Sequence, residues 1–172
     1  MLNRVKSTIL LVVPGLVLSG LPTTGACQKA DERTGFYLVL AQAPSAEGLP
    51  APTAGRKIVR YDYKYVLQED RVPTQYLLLS SRPDVALLLG KPPEKMKGEG
   101  GRTQLLIELT REAARDLEKL SRENLGKRVA FVIDGEIVSV HKIRSVIADG
   151  KFRLSRCTDN ACEYIYGQLT KR

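Results

Sequence analysis

Hydrophobic positions recur along the chain at two spacings, and the change from one to the other marks its elements. Leu105, Ile107 and Leu109 alternate with Gln104, Leu106 and Glu108, a strand rhythm that is only partly two-faced. The steps then widen to three, four and five. Ala113, Ala114, Leu117, Leu120 and Leu125 form an apolar stripe, with Arg111, Arg115, Glu118, Lys119, Arg122 and Glu123 mostly on the other side. That pattern predicts an amphipathic helix over 110–125. Thr110 stands where its hydroxyl can accept a free backbone N–H of the first turn. Gly126 stands where the chain must leave the helix through the left-handed region, which glycine enters at no steric cost. Residues 128–133, with the run VAFVI, read as a strand, and 136–141 read as its return. Between them Asp134-Gly135 is a type I′ turn signal, the strongest short-range hairpin cue. Residues 151–156 are a further strand, and Thr158 opens a last helix ending near 169. Ala161, Ile165 and Leu169 supply its apolar side, with Tyr164 beside them.

The first half of the chain is less periodic. Residues 36–41 (FYLVLA) and 76–80 (YLLLS) read as strands, and 44–55 as a loop rich in Ala, Pro and Gly. Residues 58–67 carry Tyr61, Tyr63 and Tyr65 at period two, which predicts a strand with an aromatic face. Cross-strand packing explains such a face more simply than a binding edge. Arg82-Pro83-Asp84 predicts the start of a short helix over 85–89. Residues 91–101 (KPPEKMKGEGG) show no periodicity and read as a mobile loop. The sum is an α+β fold, with an antiparallel or mixed sheet of about four to six strands and the two helices packed on one face. The β-α-β-β order over 105–141 suits a ferredoxin-like two-layer sandwich.

The first residues carry an export signature. Residues 1–6 are basic, 7–21 are apolar but broken by Pro14-Gly15, and 23–26 are small. The apolar run falls short of the roughly twenty residues that a membrane span needs, so 1–26 is expected to be a signal peptide. Thr24-Gly25-Ala26 before Cys27 resembles a lipoprotein cleavage box, which makes Cys27 the expected lipidation site and an N-terminal lipid the expected membrane contact. A simple secretory cut after Ala26 leaves the same mature end and a secreted protein. Residues 28–35 then read as a tether, and the body starts at 36.

The chain has three cysteines. With Thr158 as the N-cap, Cys157 precedes the cap and Cys162 is the fourth helical residue. These two positions touch in a hydrophobic staple, so a disulfide between Cys157 and Cys162 is expected in an oxidising envelope. It closes a very short loop and contributes less than the roughly 3 kcal/mol of a fifteen-residue loop. Cys27 is then the spare.

Charge and chemistry narrow the function. The formal charge is +8, but basic residues are spread along the chain and no aromatics interleave with them, so nucleic acid is set aside as a partner. His141 is the single histidine. Ser139, two residues away on the same strand, shares its face, but no G-x-S-x-G elbow accompanies the pair. Gly98, Gly100 and Gly101 lack the Lys-Ser/Thr of a phosphate loop. No catalytic residue, cofactor site or metal site is assigned, and the expectation is a protein that is not an enzyme.

One stretch resembles a known family. Thr110, Ala113, Ala114, Leu117, Ser121, Asn124, Gly126 and Lys127 lead into Val129, Ala130, Phe131, Ile133, Asp134, Gly135, Ile137 and Ser139. This run resembles the head subdomain of the first periplasmic domain of SecD/SecDF, an accessory subunit of the preprotein translocase. The likeness is best over 102–169 and closes on Cys157-Thr158 and Ala161. Two places depart from the family pattern: Val140-His141 stands where the family has Ala-Pro, and Asp149-Gly150 replaces a longer glycine-rich loop. The resemblance implies a head-like domain over 36–172 that holds emerging preprotein or contacts translocase subunits on the outer side of the membrane. A structural or interaction lipoprotein module without a translocation role is the alternative.

Overall fold

The computed structural model describes residues 33–171, apart from the side chain of Glu99. Cys27 and the expected leader lie outside the described residues.

The fold is built around Arg128–Ile133 (β8). Its run of apolar residues does not alternate because both of its faces are buried. Phe131 and Ile133 enter one core, and Ala130 and Val132 enter another. β8 pairs antiparallel with Gly35–Leu38 (β1) and with Glu136–Lys142 (β9), and β1 in turn pairs with the short Val85–Ala86 (β5). The sheet order is β5-β1-β8-β9. β1 splits its side chains in the same way, Phe36 to the first core and Tyr37 to the second.

Each face has its own cover. On the second core's side lies a sheet in the order β2-β4-β3, made of Ala41–Ala43 (β2), Arg56–Tyr61 (β3) and Gln75–Ser80 (β4). It supplies Leu77, Leu79 and Tyr61. The first core is closed by a sheet in the order β10-β7-β6, from Glu94–Lys97 (β6), Thr103–Glu108 (β7) and Lys151–Leu154 (β10), together with two helices. Arg111–Glu123 (α1) buries Ala113 and Leu117 there, and Asp159–Thr170 (α2) buries Ala161, Cys162, Ile165 and Leu169.

Local chemistry sets the ends of these elements. The Thr110 hydroxyl accepts the Ala113 N–H at 3.3 Å at the start of α1. Asn124 donates to the Leu120 carbonyl at its end, and Gly126 follows at φ +82°. Asp134 and Gly135 have φ of 52° and 85°, the positive pair that a type I′ turn requires. Thr158 repeats the Thr110 cap on α2, accepting from Ala161 at 3.3 Å. Cys157 and Cys162 are disulfide-bonded with their Cα atoms 5.7 Å apart. Gly150 is required twice over: its φ is +63°, and a Cβ there would sit 2.4 Å from Ala114 Cβ.

The α+β class, the antiparallel pairing and the two helices agree with the sequence. The strands, however, divide among three sheets where one was expected; β10 precedes α2 as the sequence predicts, and it pairs with β7. The tyrosines do not share a strand. β3 ends at Tyr61, and Tyr63 turns back at φ 55° to lay its ring 4.0 Å from that of Tyr61. Tyr65 crosses to the first core. Residues 85–89 contain strand β5 rather than a helix, because β1 offers Val85 and Ala86 an edge to pair with. Residues 91–101 contain strand β6; all four of its residues are exposed, so no hydrophobic rhythm could announce it. Leu125 lies past the end of α1 and is 53% exposed, outside the buried stripe.

Candidate functional site

The side chains of interest start from an irregularity in β9. Phe131 pairs with Ser139 but Val132 pairs with Ile137, so Val138 is an extra residue. Ile137 therefore enters the second core and Val138 the first. Ser139 is left opposite Phe131, and His141 opposite Val129.

Next to this face the β10 sheet stops, and a cleft of about 320 Å³ opens between them. Phe36, Phe131 and Phe152 form its floor, with centroids 5.0 to 5.3 Å apart in one stacked and two edge-on contacts. They are all the phenylalanines in the chain. Val129, Ile147 and Leu154 add apolar wall, and Ser139 and His141 are the polar groups contributed by β9. Ser139 is 7% exposed, and its hydroxyl is the one buried side-chain polar atom without a hydrogen-bond partner among the described residues. A hydroxyl left in that state costs about 1–3 kcal/mol, so a bound polar group that reached it would gain more than one taken from water.

Tyr65, Val66, Cys157 and Ile165 line a small pocket of about 30 Å³ that shares Ser139, His141 and Leu154 with the cleft. The strap that carries Tyr65 and Val66 is pinned from several sides. Val66 bridges to Cys157, and the Leu67 N–H donates to the Arg156 carbonyl at 3.1 Å. Arg156 Nε donates to Asp70 Oδ2 at 2.6 Å, and that guanidinium holds the Asp70 carboxyl below its ordinary range. Tyr65 donates its hydroxyl to Glu136 Oε2 at 2.5 Å, and Lys64 pairs with the other oxygen of that carboxylate. Burial pushes the Glu136 carboxyl up, but these two hydrogen bonds outweigh it and leave it lowered.

The residues singled out in the sequence fall in separate places. Thr110 and Gly126 bracket α1, and Asp134-Gly135 forms the hairpin tip at the far end of β9 from His141. Cys157 lines the small pocket beside the cleft, and both it and Cys162 pack in the first core. His141 is an exposed residue that lines the cleft, and desolvation lowers its pKa below the usual value of about 6.5. No carboxylate acts on that ring, so it is not oriented as a general base would be. No group of three His, Cys, Asp or Glu among the described residues is arranged to hold a metal ion. The phenylalanine floor was missed in the sequence. Only the scarcity of the residue, three in 172, marks those positions.

The segment that builds most of this cleft also carries the likeness to known proteins. Residues 90–162 match the family model of the SecDF P1 head subdomain. This segment is similar to a SecDF P1 head. Over 51 residues the chain is 39% identical to the protein translocase subunit SecDF of Thermus thermophilus, a stretch that is 30% of this chain and 7% of that subunit. The chain thus spans only a small part of its curated relative. A solved structure of the membrane component SecDF that enhances protein export superposes with a TM-score of 0.49 at 18% identity, over 81% of this chain and 63% of the other. A Thermus thermophilus SecDF structure gives a TM-score of 0.42 at 25% identity, over 52% of this chain and 13% of the other. The matched segment contains the disulfide at the start of α2 and two of the three phenylalanines of the floor, Phe131 and Phe152. No helix among the described residues is long and apolar enough to cross a membrane.

One part of the fold's pH response follows from His141. Its folded pKa is lowered, so between that value and about 6.5 the unfolded chain binds more protons. Stability therefore rises with pH through this window and is lost as the pH falls. His141→Gln is expected to flatten that part of the curve of melting temperature against pH. An unchanged slope would show that other groups set it.

Proposed function

We propose that this is an exported, non-enzymatic protein, anchored by a lipid on Cys27, whose SecDF-head body holds unfolded segments of exported polypeptide outside the membrane. In this reading 1–26 is a signal peptide, 27–35 a tether and 36–172 the binding body. The observation that carries it is the phenylalanine-floored cleft beside β10. A mostly apolar trough next to a strand edge accepts an extended chain without demanding one sequence, because backbone groups supply affinity and the trough takes alternate side chains. The head family supports a translocation setting, and the matched relative is itself a translocase subunit. Unfolded preprotein and translocase subunits are the partners of this reading.

The anchor is supported by the small residues before Cys27 and by the pairing of the other two cysteines with each other. Intact-mass spectrometry of protein from native membranes is expected to find a chain beginning at Cys27 with a diacylglycerol added. A chain beginning at Cys27 without lipid would remove the anchor.

Binding is tested with the purified body and an unfolded, signal-bearing chain, with saturation expected at micromolar concentration. Phe152→Ser, which opens the floor at a half-buried position, is expected to weaken binding by roughly ten- to a hundredfold, since an apolar contact of this size is worth roughly 1.5–3 kcal/mol. Its fold is checked by circular dichroism. Absence of saturable binding by the unmodified body would contradict the reading.

A further inference from the structure

We propose that the cleft is filled by strand addition. An extended segment with an apolar–acidic–apolar alternation pairs antiparallel with β10 and becomes the fourth strand of the β10-β7-β6 sheet. This rests on the reading of the cleft as a polypeptide site and adds to it a register and a side-chain chemistry.

The register comes from the backbone. The Leu109 N–H donates to the Gly150 carbonyl at 3.0 Å, and Phe152 and Leu154 lie opposite Ile107 and Leu105. Bonded positions alternate along an antiparallel ladder, so Gly150, Phe152 and Leu154 turn their backbone groups toward β7. Arg153 turns its N–H and C=O the other way, toward an edge where β10 has no further strand in its sheet. The cleft runs along that edge, from Phe152 to Arg156. The neighbouring Lys151 N–H is already taken by Asp149 Oδ1 at 3.1 Å. Arg153 is therefore the position where one residue of an incoming antiparallel strand can bond both to a donor and to an acceptor.

The side-chain chemistry follows from the pleat. Phe152 and Leu154 point into the first core, so Arg153 stands on the opposite face of the sheet. A residue paired with Arg153 shares that outer face, and its two neighbours drop into the cleft over the phenylalanine floor. On the outer face Lys151 lies 3.5 Å from Glu108, whereas Arg153 has no ion-pair partner among the described residues. A carboxylate in the paired position supplies one, and a lysine there would be repelled.

The test uses the full chain and short synthetic segments with leucine at the two cleft-facing positions and Glu, Gln or Lys between them. The Glu segment is expected to bind roughly three- to fivefold tighter than the Lys segment at low salt. Added salt should narrow the gap. Arg153→Glu, at an exposed position, is expected to invert the order while the melting temperature holds. N-methylation of the central Glu amide is expected to abolish binding, and hydrogen exchange should show the Arg153 amide becoming protected only with the unmethylated segment. If the methylated segment binds equally well, or Arg153 gains no protection while an unfolded chain still saturates the cleft, strand addition is overturned and the cleft reading stands. If neither the segments nor an unfolded chain bind, both fall together.

Discussion

Burial of β8 on both faces is the constraint that the rest of the molecule answers to. A hairpin strand in an antiparallel sheet commonly keeps one wet face, but Ala130, Phe131, Val132 and Ile133 are all buried, none more than 5% exposed. Each of the three larger ones contributes on the order of 1.5–3 kcal/mol, an upper figure because the unfolded chain already hides some of this surface. That gain requires two covers. The β2-β4-β3 sheet exists in this place because Val132 and Ala130 need it, and the β10-β7-β6 sheet with α1 and α2 because Phe131 and Ile133 do. The hairpin tip is fixed in turn by the two residues just before β1: the Asp134 N–H donates to the Thr34 hydroxyl at 2.9 Å, and the Gly135 N–H to the Arg33 carbonyl at 3.0 Å.

The cleft is a consequence of how these covers fit. The extra residue Val138 lets β9 feed both cores, and Ser139 then comes to rest, without a partner among the described residues, on the floor beyond the last strand of the covering sheet. A sheet of three strands is narrower than the face it lies on. The uncovered strip carries Val129, Ser139 and His141, and the edge of β10 stands beside it. The polar strap at 64–71 and the disulfide at the start of α2 border a small pocket that adjoins the cleft.

The hairpin, its turn, the two helices and both threonine caps were legible in the sequence because each rests on local chemistry: Asp134-Gly135 needs positive φ, and Thr110 and Thr158 each serve an N–H three residues on. The order of strands was not legible. Which of two apolar strands meets a given face depends on partners far along the chain, and VAFVI reads alike for a strand buried once or twice. β6 was silent because its side chains are all in water, and the tyrosines at period two mimicked a strand that ends at Tyr61. The cleft was equally hidden, since Phe36, Phe131 and Phe152 lie far apart in sequence and meet only when β1, β8 and β10 assemble.

The double burial of β8 makes the two cores one cooperative unit, and native-state hydrogen exchange on Leu77→Ala tests that directly. Leu77 lies in the second core, away from α1, α2 and β7, and its truncation should cost about 2–5 kcal/mol. If β8 joins the cores, the amides of β7 lose as much protection as those of β4, because both exchange through the same global opening. If β4 loses protection while β7 keeps its own, the two cores open independently, and β8 is not the element that holds them together.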